Sequence, residues 1–219
     1  MRSHAIAAPP LAVPIFLSAL AVLPINMFVP SLPNIARDLK VDFAVINAAI
    51  AGYAVATAVV HLLAGALSDR WGRRPVAFAA LALFVFASIG CSLATNIRVF
   101  LLCRLCQGAV IAGYVISLAV IRETSDARGV AGRIGYVSSA WAVAPMLGPA
   151  LGGLIDAHFG WRANFVTFAL LGMAGLYLVA FHLHETNVCR SAAMASPLRG
   201  YAEVLASPGF RAHALCMAL

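Results

Sequence analysis

Gly65-Ala66-Leu67-Ser68-Asp69-Arg70-Trp71-Gly72-Arg73-Arg74-Pro75 is a short charged turn between two long apolar runs, and its reading decides the fold. Neither flank, 44–67 or 76–95, contains an Asp, Glu, Lys or Arg. Each flank is long enough to cross a bilayer as a helix, which takes about 20 apolar residues because unpaired backbone groups in lipid cost several kcal/mol each. The turn is therefore where the chain leaves the membrane and reverses. Gly65 allows close helix approach, and Gly72 permits a tight turn. Asp69 can accept hydrogen bonds from exposed backbone N–H groups or pair with Arg73. Arg70, Arg73 and Arg74 hold the turn on one side of the membrane.

The same alternation continues in both directions. Six apolar runs, at about 11–30, 44–67, 76–95, 99–121, 134–155 and 163–183, are each long enough to span. The predicted fold class is an all-α membrane protein of six spans. A seventh run begins near Phe210, so the predicted organisation is a six-helix unit over 1–186, a polar cytoplasmic linker over 187–209 punctuated by Pro197 and Pro208, and the start of a further span over 210–219. Composition agrees: 63% of the 219 residues are hydrophobic and 11% charged, against roughly 25% charged in soluble domains. The net charge of +7 does not indicate nucleic acid, because the basic residues sit in short clusters between apolar runs. Ten of them fall on the side of the N-terminus and four on the other, with Arg104 left in the membrane, so the N-terminus is predicted cytoplasmic. The stretch Ala19-Leu20-Ala21 faintly resembles a cleavage site, but the runs that follow favour a retained first span. Cys103 and Cys106 form a C-x-x-C inside an apolar run with no second pair nearby, which favours two small packing side chains over redox or metal chemistry.

Polar residues inside the spans are the candidates for function. Arg104, with Gln107 three residues on, either snorkels to the interface or holds a charge in a polar cavity. Tyr53, Thr57 and His61 recur at intervals of four and project from one helical face. His61 is either a proton carrier or a packing histidine. Span five carries Pro145, Gly148, Pro149, Gly152 and Gly153, a costly set for a helix unless neighbours compensate. The pattern Gly65-x-x-x-Asp69-x-x-Gly72-Arg73 returns after span five as Gly152-x-x-x-Asp156-x-x-x-Gly160-Trp161-Arg162, on the opposite side, as inverted three-helix repeats require. None of the six runs, as bounded here, contains a carboxylate.

These residues together resemble the major facilitator superfamily. The turn at 65–75 is similar to its signature loop after span two, Arg104-x-x-Gln107-Gly108 to its span-four motif, and Gly148-Pro149-Ala150-Leu151-Gly152-Gly153 to the G-P-x-x-G-G motif of antiporters. Pro24 to Pro33, Ile121-Arg122-Glu123, Gly160-Trp161-Arg162 and Glu185-Thr186 extend the resemblance to the bicyclomycin-resistance subfamily of drug:proton antiporters. The resemblance implies an N-terminal half of a twelve-span transporter of the bacterial inner membrane, with a C-terminal six-helix half as partner. Its partners would be small amphipathic substrates, protons and the lipid bilayer, without nucleic acid, cofactor or metal. It also implies that the loop latches the two halves and that the span-five motif shapes its helix against the opposite half. A charge cluster of Asp69, Arg73 and Glu123 is expected on the loop side. The subfamily's acidic residue in span one is Asn26 here, so a proton site there is not carried over. No G-x-S-x-G, Walker loop or H-E-x-x-H is present, and no enzymatic activity is expected. The rival readings are a uniporter or symporter of the same superfamily, a membrane scaffold, and an inert fragment of a transporter.

Overall fold

The computed structural model describes residues 9–186, so the predicted linker and the start of a seventh span lie outside the described residues. The helices are α1 (Ala12–Phe28), α2 (Leu32–Asp38), α3 (Phe43–Trp71), α4 (Arg73–Leu93), α5 (Ile97–Gln107), α6 (Ile111–Thr124), α7 (Ala127–Phe159) and α8 (Trp161–His182). A 3₁₀ turn at Val29–Ser31 joins α1 to α2, and another at Gly108–Val110 joins α5 to α6. Six continuous rods result, Ala12–Asp38, α3, α4, Ile97–Thr124, part of α7 and α8, each long and apolar enough to cross a membrane. The expected all-α, six-span class is what the chain adopts.

The local chemistry explains the element ends. Asn96 and Asp126 cap α5 and α7, their side chains accepting from the N–H groups of Val99 and Gly129 at 3.0 Å. Pro30 and Pro33 bring no N–H to the α1–α2 join, which therefore tightens into 3₁₀ geometry.

The repeat seen in the sequence reappears as a packing symmetry. Span one lies along span five, span two along span four, and α4 along α8. Exchanging the first three spans with the last three reproduces that set. Spans one and four, the first of each trio, are the two broken by 3₁₀ turns. The α3–α4 and α7–α8 reversals are each a single glycine, Gly72 at φ 103° and ψ 153° and Gly160 at φ 78° and ψ 163°. That region of backbone space is essentially closed to residues with a Cβ. Gly160→Ala should therefore cost about 1–3 kcal/mol from backbone strain alone. Gly72→Ala should cost more, because a Cβ there also runs into the Glu185 carboxylate, whose Cδ would lie 2.9 Å away. Thermal unfolding of the two variants in one detergent would read the difference.

Burial is uneven. In the most apolar windows of spans one, three and four, 56% of residues are buried, but in α3 and α7 only 17% are. Helices α3 and α7 both pack on α6 and flank it, leaving their outer faces open.

Candidate functional site

Arg104 lies at the centre of the bundle. Together with Gln107 it is completely buried, so it neither snorkels to the interface nor projects into open space. Helical spacing of three places both side chains on the same face of α5. Arg104 Nη1 donates to Gln107 Oε1 at 2.7 Å, Gln107 Nε2 donates to Ser88 Oγ at 2.7 Å, and Ser88 Oγ donates to the Phe84 carbonyl at 2.7 Å. The guanidinium carbon sits 4.2 Å from the Phe28 ring centroid and 4.5 Å from that of Tyr53, with Phe165 at 5.8 Å. Spans one, two, four and six thus all contribute to its surroundings. Nε and Nη2 of Arg104 and the Tyr53 hydroxyl are buried without hydrogen-bond partners among the described residues. An arginine at mid-membrane costs about 2.5–3.5 kcal/mol on translocon scales, and each desolvated cation–π contact returns about 2 kcal/mol. The ring contacts therefore offset the cost of that burial without a carboxylate beside the guanidinium among the described residues.

The polar stripe of α3 is not a unit. Tyr53 is buried beneath Arg104, and the Thr57 hydroxyl donates to Ala54 O of its own helix at 2.8 Å. His61 is exposed, makes no hydrogen bond among the described residues, and meets Tyr114 edge-on at 6.0 Å between ring centroids. Tyr114 in turn lies 4.6 Å from Trp141. Three rings from α3, α6 and α7 thus stand in a row across α6.

The span-five motif faces inward. Helix α7 runs unbroken through Pro145 and Pro149. A Cβ on Gly148 would come within 2.8 Å of Asn26 Cβ, and one on Gly152 within 2.7 Å of Met27 Cα. Gly153 faces Pro30 at an ordinary 3.6 Å. The glycine edge therefore fits span five to span one of the same half, whereas Pro149 is exposed. Asn26 is half-buried at this contact and donates to Val22 O at 2.9 Å.

At the Gly72 turn the structure brings Asp69, Arg73 and Glu123 together. Arg73 Nη2 lies 2.6 Å from Asp69 Oδ1 and 2.8 Å from Glu123 Oε1, and its Nη1 donates to Ser68 Oγ. Glu123 also accepts from the Thr186 hydroxyl at 2.5 Å. Glu185 caps α4, accepting from the backbone N–H groups of Arg73 at 2.9 Å and Arg74 at 3.3 Å. A carboxylate at a helix N-terminus is favoured by the exposed N–H groups and the dipole together. Gly65 has open space around it, Arg74 donates to Ala180 O at 2.7 Å, and Arg70 is exposed outside the cluster.

The pseudo-equivalent turn at Gly160 is wired differently. Asp38 accepts from both Trp161 Nε1, at 3.1 Å, and Arg162, which also donates to Ala94 O at 3.2 Å. Asp156 bonds Asn34 instead. Here the expectation of carboxylate-free spans is corrected: the helices outrun the expected bounds, so Asp38, Asp69, Glu123 and Asp156 all lie within them, and of these Asp156 is buried. Among the described residues no cluster of His, Cys, Asp or Glu is placed to hold a metal, and Cys91, Cys103 and Cys106 are free thiols.

Sequence reading missed Phe28 and Phe165 around Arg104, since apolar residues in apolar runs carry no positional signal, and missed Ser88, a lone hydroxyl with no spacing to tie it to Gln107. Glu185 was visible only as part of a motif, not as the cap of α4.

The chain is 39% identical over 175 residues to the multidrug resistance protein MdtL of Escherichia coli O81, covering 79% of this chain and 44% of that one. It is 40% identical over 171 residues to MdtL of Shigella dysenteriae, again covering 44% of that protein. The chain thus spans a little under half the length of the curated relatives it matches. The human organic anion transporter MFSD10 superposes with a TM-score of 0.69 at 20% identity, over 88% of this chain and 52% of that one. A peptide transporter, POT, superposes with a TM-score of 0.72 at 14% identity, over 95% and 45%. At those identities the two structures establish the fold alone. Six spans and bacterial relatives make this a multi-pass protein of the bacterial inner membrane. The model of the Major Facilitator Superfamily matches residues 15–218, and the chain belongs to that superfamily, a family of transporters rather than of enzymes.

Proposed function

We propose that this chain forms one half of a proton-coupled exporter of small amphipathic compounds, with its N-terminus and the Gly72 turn in the cytoplasm. The observation that carries the reading is Arg104, a cation buried inside the bundle against rings of spans one, two and six. A packing residue in that place would be apolar, since intramembrane charge is retained for function. The rings of His61, Tyr114 and Trp141, exposed or part-exposed between α3 and α7, suit the apolar bodies of amphipathic substrates. The open outer faces of α3 and α7 suit a second six-helix half, which would cover them. The multidrug names of the relatives at 39–40% identity agree with this substrate class.

The Asp69–Arg73–Glu123 cluster acts in this reading as the cytoplasmic latch, breaking and reforming as the halves rock. Asp69→Asn keeps the hydrogen-bonding shape and removes one charge, so it should slow transport while leaving protein level unchanged. Its side chain is near half-exposed, so the direct effect on stability should stay below about 1 kcal/mol.

The test is reconstitution with a six-helix second half in proteoliposomes under an imposed pH gradient. Uptake of an aromatic amphipathic dye should follow the gradient and vanish for either half alone. Flux indifferent to the gradient would remove proton coupling, and no flux from the pair would remove the transport reading.

A further inference from the structure

The glycine edge of α7 leads to a carboxylate. Gly148, Gly152 and Asp156 follow one another at intervals of four and share one helical face. They meet Asn26, Met27 and Asn34 of span one in the same order. The edge that fits the two spans together thus ends on an ionisable group, 8% exposed, at the Gly160 end of the membrane.

The surroundings of Asp156 are unusual for a buried acid. Its Oδ2 accepts from Asn34 Nδ2 at 2.7 Å, and its Oδ1 has no partner among the described residues. The charged and titratable neighbours are accounted for. From α2, Arg37 donates to the Oδ1 of Asn34, and Asp38 is bound by Arg162 and Trp161. From α8, Arg162 is bound to Asp38 and Ala94 O. On α7 itself, His158 is exposed. No cation makes an ion pair with Asp156 among the described residues. Asn164 of α8 donates to Ser31 Oγ and Gly152 O at 3.0 Å each, and its own Oδ1 is also buried without a partner. A buried polar atom left unpaired is costly, and a proton is a ligand small enough to reach this one. Asn26, farther along the same interface, has no proton to exchange.

We propose that Asp156 is the proton-binding carboxylate of this half, loaded at Oδ1 from the Gly160 face and emptied when spans one and five shift against each other. One proton converts the carboxylate to the neutral acid; its release as a proton to water on the other face restores the carboxylate, with no other bond made or broken. The proposal rests on the proton-coupled reading above. It would place the proton site on span five, at its contact with span one.

The test has two arms. In pH-difference infrared spectra of the purified chain in lipid bilayers, a protonated-carboxyl C=O band should be lost in Asp156→Asn, shifted in Asp156→Glu and kept in Asp38→Asn. A band unchanged in both Asp156 variants would overturn the proposal, and circular dichroism establishes that each variant is folded. In proteoliposomes with a second half, Asp156→Asn should lose gradient-driven dye uptake yet keep substrate exchange at equal pH. Gradient-driven uptake retained by Asp156→Asn would also overturn it. If the unsubstituted pair shows no gradient-driven flux, the transport reading fails, while the infrared arm still decides whether Asp156 binds a proton.

Discussion

Gly152→Val should leave little folded protein. A Cβ at this position would lie 2.7 Å from both Cα and carbonyl carbon of Met27, and would overlap the Met27 carbonyl oxygen still more closely. The obstacle is backbone, not the tip of a flexible side chain, so no rotamer change relieves it. Spans one and five must separate along their length, and Gly148, one turn away and already within 2.8 Å of Asn26 Cβ for a hypothetical methyl, loses its contact too. In lipid no hydrophobic force drives helices together, and close approach at small residues supplies much of the association energy. Overpacking typically costs 1–3 kcal/mol, and a clash between two backbones belongs at or above about 3 kcal/mol. The neighbouring Gly153→Ala is the control. Its Cβ would meet Pro30 at 3.6 Å, an ordinary contact, and alanine gains about 1 kcal/mol of helix propensity over glycine. Two adjacent glycines of one motif should therefore give opposite results in thermal unfolding. Equal losses at both would mean that the motif acts through helix flexibility instead of through its contact with span one.

Arg104→Met should abolish transport at a moderate cost in stability. Methionine replaces the stem and leaves the rings of Phe28 and Tyr53 packed against an apolar chain. The variant gives up two cation–π contacts of about 2 kcal/mol each and the bond to Gln107, and it recovers about 2.5–3.5 kcal/mol of desolvation. The losses exceed the recovery, so the variant should be less stable by about 2–4 kcal/mol. Transport in the two-half proteoliposome assay should fall to background. Arg104→Lys should restore little, because an ammonium cannot lie flat between two rings or reach Gln107 with a fixed fork. A methionine variant that transports normally would make Arg104 a structural residue. A lysine variant that transports normally would show that charge alone suffices and that the planar fit is incidental.

Much of the architecture was legible in the chain itself. The cost of placing a segment in lipid depends on its own composition and length, so six apolar runs and the charged turns between them located the six spans, though span one runs on to Asp38 rather than ending near 30 and α7 starts at Ala127 rather than near 134. The turn glycines 72 and 160 announced the repeat, because each reversal requires a backbone that only glycine adopts readily. Asp69, Arg73 and Glu123 were expected on one face from connectivity alone.

What the tertiary structure decided was which way each helix is turned. The spans are apolar almost all round, so hydropathy does not orient them; packing does. Tyr53 and His61 occupy one stripe in the sequence, yet Tyr53 lies buried beneath Arg104 of α5 while His61 is exposed and meets Tyr114 of α6 edge-on. The span-five glycines met span one of their own half, since backbone contact needs a partner of matching shape and α1 provided it. Asp156 passed from loop to the buried last turn of a helix because α7 continues to Phe159, one turn beyond where composition alone would end it. Glu185 became the cap of α4 only when α8 returned the chain to the Gly72 turn. Insertion into lipid is a property of each segment and can be read along the chain; mutual orientation is a property of pairs of helices and exists only once they have packed.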